Sequence, residues 1–107
     1  MTELCKIVVF VPESHADAVR KAAGDAGAGK IGNYSYCSFS SKGVGRFLPE
    51  RGANPTIGTV GSLEAVQEER IEMVCNKSKI NEVVAAIKTA HPYEEVALDI
   101  YQLLTEF

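Results

Sequence analysis

No uninterrupted apolar run in this sequence is longer than the five residues Ile7 to Val11. A membrane-spanning helix needs about 20 such residues, so no membrane partner is expected. Basic residues are in deficit, with 11 Lys and Arg against 14 Asp and Glu and a net charge of -3. No basic face is implied, and nucleic acid is not an expected partner. Cysteine is scarce: Cys5, Cys37 and Cys75 include no Cys-x-x-Cys pair. An odd number of thiols without a secretory leader argues against a disulfide framework, and a buried, reduced thiol is expected at each. Met1 to Lys6 has neither the basic start nor the long apolar stretch of a signal peptide, so a cytoplasmic protein is expected.

What is present describes an ordinary globular chain, 46% apolar and 23% charged over 107 residues. That length predicts a single domain over 1–107. Folding at this size buries roughly two-thirds of the unfolded surface. This supports one layered core but leaves little room for a deep private cleft, so a binding site forms more easily between subunits.

Lys6 to Val11 is β-branched and apolar throughout, the pattern of a central strand. Pro12 ends it, and Ser14 is placed to cap a helix carrying the small-residue stripe Val19, Ala22, Ala23 and Ala26. Ile31 to Ser41 reads as a second strand, Lys42 to Arg46 as a turn, and Phe47 to Pro49 as a short return strand. Glu50 to Pro55 reads as a polar loop, and Thr56 to Leu63 as a short strand or bulge. Glu69 to Cys75 alternates as a half-buried strand. Ser78 would cap a second helix whose inner face is Ile80, Val83, Val84 and Ile87, and which His91-Pro92 stops. Val96, Leu98 and Ile100 alternate with polar neighbours in a last strand.

The order strand, helix, strand, strand, helix, strand predicts an α+β, ferredoxin-like split βαβ fold. Right-handed crossovers put both helices on one face of an antiparallel sheet. The other face stays open, which is a physical reason to expect a homo-oligomer.

Several patterns mimic functional motifs. Gly27, Gly29 and Gly32 match G-x-G-x-x-G, and Gly24 to Lys30 matches most of a P-loop, with Ile31 where Ser or Thr should stand. Both follow a helix rather than a strand, so the nearby helix end has the wrong polarity for phosphate. They read as a helix stop and turn. Gly43 and Gly45, flanked by Lys42 and Arg46, read as a hairpin tip with solvated charges. His15, in a first helical turn, is expected to be neutral and exposed. Cys37, His91, Glu94 and Glu95 are metal-capable but lack the spacing of known sites. On a strand, adjacent Glu94 and Glu95 would point to opposite faces. His91-Pro92-Tyr93-Glu94-Glu95 concentrates an imidazole, a phenol and two carboxylates at a forced bend. It supports a structural role, with His91 bonding the last helix carbonyls, and also a ligand or interface role.

Gly29-Lys30-Ile31-Gly32-Asn33-Tyr34, Cys37 to Ser40, Gly43-Val44-Gly45, Gly52 to Gly58, Glu69 to Glu72 and His91 to Glu95 occur together. In these motifs the chain resembles the YqfO-type domain inserted in proteins of the NIF-three-like, dinuclear-metal, hexameric family. The match runs from about Cys5 to Leu104. The resemblance implies a fold like those of CutA and PII proteins, which form trimers, so a trimer is the favoured oligomer. Metal ligands and hydrolase activity of the larger proteins belong to flanking lobes, which the sequence is not expected to include. PII-like relatives bind nucleotides or metabolites between subunits, and CutA-like ones are associated with divalent metals. By fold analogy, Lys42 to Pro55 corresponds to the mobile signalling loop of PII-like proteins.

The leading expectation is a non-catalytic oligomeric module that binds a small molecule or a protein partner at subunit boundaries. Its candidate site residues are Asn33, Tyr34, Cys37, His91, Tyr93 and Glu94. One alternative is a divalent-metal binder using His91 with Glu94 or Glu95, and with Cys37. Another is a purely structural oligomerisation domain. An enzyme with His91 as base lacks an assembled nucleophile and orienting group.

Overall fold

The computed structural model describes residues 3–105, so the first two and last two residues of the domain expected over 1–107 lie outside the described region. Strand β1 spans Leu4–Pro12, helix α1 Ala16–Asp25, β2 Phe39–Phe47, β3 Glu64–Asn76, α2 Ile80–Ala90 and β4 Leu98–Gln102. The sheet order is β2-β3-β1-β4, with every neighbouring pair antiparallel. Each helix therefore links two strands that have a third between them, which is the split βαβ topology expected from the element order.

Alternation along the strands decides which face receives the helices. Ile7, Val9 and Val11 of β1 and Ile71, Met73 and Cys75 of β3 point to one side. There they meet Val19 and Ala23 of α1 and Val83 and Ile87 of α2 in one buried cluster. The alanines Ala16 and Ala23 let α1 lie close to the sheet. Val8, on the opposite face of β1, is also buried, in keeping with a central strand. Cys5 and Cys75 are buried free thiols, and Cys37 is half-buried. Burial pushes the Cys75 thiol up from its ordinary pKa.

Several expected boundaries move. Lys42 to Arg46, expected as a turn, lies inside β2, and Phe47 is the end of that strand rather than the start of a return strand. The glycines Gly43 and Gly45 imitate a turn signal, but sheet pairing with Glu68 and Val66 overrides it. β3 starts at Glu64, five residues before the alternation becomes clear, because Glu64, Val66 and Glu68 continue its open face. Thr56 to Leu63 forms turns, not a strand.

Neither serine caps its helix as expected. Ser14 lies in a short 3-10 turn, Glu13–His15, and its hydroxyl meets His15 Nδ1 at 2.8 Å. Before α2, the carboxamide Oδ1 of Asn76 accepts hydrogen bonds from the Ser78 backbone and hydroxyl, so Asn76 is the capping side chain. Val84, expected on the buried face of α2, is only half-buried.

Residues 31–38, expected as strand, are irregular apart from the bridge between Ile31 and Tyr34. They are held by local anchors. The Tyr36 ring lies over Gly24, where a β-carbon would overlap it, and the Tyr36 hydroxyl donates to Asp25 at 2.6 Å. Gly29, at φ +80°, donates its N–H to Val74 O at 2.7 Å and accepts from Cys37 N–H at 2.9 Å. A β-carbon on Gly29 would lie 2.5 Å from the Cys37 carbonyl oxygen. Replacing Gly29 by Ala combines a clash with an unfavourable backbone region, and should lower stability by about 1–3 kcal/mol. Urea unfolding of Gly29→Ala checks this, and an unchanged midpoint would show that the 29–37 crossing is not needed for folding.

Candidate binding cleft

The end of α2 is joined to β1 by one imidazole. His91 caps the helix with extended backbone, and its N–H reaches Ile87 O. Its ring does not bond the last helix carbonyls, as expected from the sequence, but turns inward to the sheet. Nδ1 accepts the Tyr93 backbone N–H at 3.1 Å, so Nδ1 carries no proton. The proton is then on Nε2, which donates to Phe10 O at 2.7 Å. The ring is 6% exposed and fully engaged. Burial holds its pKa below the ordinary value, with the Phe10 carbonyl opposing that shift less strongly.

This bend aims Tyr93 along the open side of the sheet. Its ring stands 5.1 Å from the His91 ring and packs edge-on against Phe47 at 5.7 Å. Its hydroxyl donates to Glu68 Oε2 at 3.2 Å. Burial first, and then the Glu68 carboxylate, push the phenol up to about 12, so it remains a donor at neutral pH. Glu68 rises from β3 and is 8% exposed. Gly45 leaves the space that its carboxylate occupies, and a β-carbon there would overlap it.

The loop after β2 closes over this corner. Glu94 Oε1 accepts the Asn54 N–H at 2.9 Å, and Thr56 Oγ1 donates to Pro92 O at 2.6 Å. Between loop, ribbon and corner is a cleft of about 420 Å³. Its walls include Phe10, Phe47, Leu48 and Pro49, and its polar groups include Glu68, Tyr93, Glu94 and Glu95. Glu94 and Glu95 do not point to opposite faces, as a strand would require. They lie in a bend before β4, and both line the cleft.

The six candidate residues fall into two groups. His91, Tyr93 and Glu94 come together at the cleft, with His91 as its support. Asn33, Tyr34 and Cys37 lie in the 31–38 crossing, beside Gly29 and the Val74 region of β3. Val74 pairs with Lys6, whereas Phe10, which holds His91, pairs with Arg70, so the groups occupy opposite ends of the sheet. Among the described residues, no three metal-capable side chains converge. The His91, Glu94 and Cys37 set is not assembled within one chain. Glu68, Gly45 and Phe47 were missed in the sequence. Their signal is glycine at alternate positions inside a strand, which marks close approach but in sequence resembles a turn.

No family model matches the chain. The "GTP cyclohydrolase 1 type 2 homolog" of Halalkalibacterium halodurans is 57% identical over 103 residues, covering 96% of this chain and 28% of that protein. A crystal structure of a Bacillus cereus protein related to NIF3 superposes with a TM-score of 0.83 at 55% identity, over 95% of this chain and 26% of the other. Over nearly its whole length the chain is similar to one segment of these NIF3-related proteins. It spans little more than a quarter of the curated relatives that it matches. The periplasmic divalent cation tolerance protein CutA of Archaeoglobus fulgidus shares the fold, with a TM-score of 0.69 at 17% identity over 100% of this chain and 88% of that one. Bacillus subtilis GlnK shares it with a TM-score of 0.62 at 13% identity, over 94% and 85%. The domain thus has the PII/CutA-like fold that its sequence motifs imply.

The buried imidazole makes stability depend on pH. His91 in the unfolded chain titrates near 6.5, and in the fold it stays neutral to lower pH. Between these values the unfolded chain binds the extra proton. The contribution is therefore complete above pH 6.5 and is lost as pH falls below it, by at most about 1.4 kcal/mol per pH unit. Urea midpoints between pH 7.5 and 5 should fall more steeply for the native protein than for His91→Gln. Parallel profiles would show that His91 does not carry this dependence.

Proposed function

We propose that this chain, as one domain over 1–107, is a non-catalytic binding module. Its ligand site is the cleft at the Tyr93 and Glu68 corner, and it works as a homo-oligomer, a trimer, with the site at a subunit boundary. The observation that carries the reading is an apolar-walled cleft whose imidazole, phenol and threonine hydroxyl are held in structural bonds. The His91 ring spends both nitrogens on Phe10 and Tyr93. The Thr56 hydroxyl donates to Pro92 O, and the Tyr93 phenol stays protonated against Glu68. No nucleophile and base are left facing each other, whereas a concave wall with a few polar groups suits binding.

The open sheet face supports assembly. Phe39 of β2 and Tyr101 of β4 lie on it, 67% and 52% exposed. Exposed aromatics on a sheet face without helices favour burial against another copy. The name GTP cyclohydrolase 1 type 2 homolog belongs to relatives that this chain matches over little more than a quarter of their length, and the proposed module has no share in the chemistry that the name describes.

Sedimentation equilibrium at micromolar concentration tests the assembly. The expected mass is three times that of the chain, and Phe39→Asp should lower it towards a single copy while leaving the circular dichroism unchanged. A native monomer would overturn the subunit-boundary reading.

A further inference from the structure

The charge of the cleft selects among ligands. Four carboxylates, Glu50, Glu68, Glu94 and Glu95, line it, against one guanidinium, Arg46. Glu68 is the unusual member, because it is 8% exposed and sits at the base. Its only hydrogen bond among the described residues comes from the neutral Tyr93 hydroxyl to Oε2, and no cation lies within ion-pair distance. The neighbouring cation on its face of β3, Arg70, is turned elsewhere, to Glu72 at 3.7 Å and over the Phe10 ring at 5.6 Å. Buried carboxylates are normally paired, since burial strips their hydration without replacing it. Oε1 lies in the space left open by Gly45. Around this anionic base are apolar walls, including Phe47, Leu48, Pro49 and Ile57. The volume of about 420 Å³ lies in the range of small-molecule sites.

We propose that the cleft binds an amphipathic organic cation, an amine or guanidinium carried on an apolar body. This rests on the binding-module reading above and names its ligand class. The cationic head supplies the counter-charge that Glu68 lacks, and the body lies against Phe47 and Leu48. Phosphate and carboxylate ligands are disfavoured by the same four acids.

Calorimetry on the native protein at pH 7.5 with 2-phenylethylamine, 2-phenylethanol and phenylacetate tests this, because the three share a body and differ in the charge of the head. The amine should bind at least tenfold more tightly than the alcohol, and the acid more weakly still. Glu68→Gln should remove the preference for the amine over the alcohol. Amide NMR shifts on adding the amine should centre on Gly45 and Tyr93. The isostere series needs no variant, so it decides the matter even where Glu68→Gln fails to fold. Equal binding of all three probes would overturn cation selection while leaving a binding cleft. Binding of none, or tighter binding of calcium ion than of the amine, would also overturn it. A lysine or arginine from a neighbouring copy seated on Glu68 would appear as binding of none in the native oligomer, with amine binding regained in a dissociated Phe39→Asp variant. The oligomer measurement is independent of these outcomes, so the two readings fail separately.

Discussion

The corner of this domain depends on a neutral imidazole with two jobs. Nε2–H of His91 ties the end of α2 to the carbonyl of Phe10, and Nδ1 receives the backbone N–H of Tyr93. The first bond sets where the helix meets the sheet, and the second sets the direction in which the chain leaves. Tyr93 then reaches Glu68, and Glu94 reaches the loop at Asn54. A protonated ring could not accept the Tyr93 N–H, so the geometry of the cleft depends on a proton that is absent. An imidazole that looks like a catalytic base in the sequence thus has no lone pair left to act as one.

Much of the fold was legible because its signals are local and periodic. The apolar run Ile7 to Val11, the alternation Ile71, Met73, Cys75 and the helical spacing of Val83 and Ile87 each identify an element and its buried face. The middle of the chain was not legible, because there local preference and tertiary pairing disagree. Gly43 and Gly45 weaken a strand in isolation, yet β3 provides a complete ladder for them. Their missing side chains also make room for Glu68, so the feature that concealed the strand is the one that forms the cleft. The corner His91 to Glu95 was legible as a bend, but the partners of its side chains outside the bend lie 25 to 81 residues away and carry no local signature.

Asn33, Tyr34 and Cys37 belong to a different end of the sheet from His91, Tyr93 and Glu94. Within one chain they make two surfaces. The first is an exposed turn backed by glycine contacts, and the second is an acidic cleft. Family motifs can therefore mark two physical demands at once. Gly24 and Gly29 are needed for close chain crossing, whereas Gly45 is needed to accommodate a carboxylate.

The central position of β1 has a consequence for how the chain is made. It carries the most apolar stretch of the sequence and is synthesised before either of its partners in the sheet. Leu4 waits for Asn76, and Cys5 waits for Gln102. Until β3 arrives Ile7 to Val11 has two unpaired edges, and until β4 arrives it keeps one, the form in which strands associate with the wrong neighbour. Pro12 shortens that exposure at one end, and Lys6 places a charge at the other. The sheet is therefore most vulnerable to misassembly in the interval before β4 emerges.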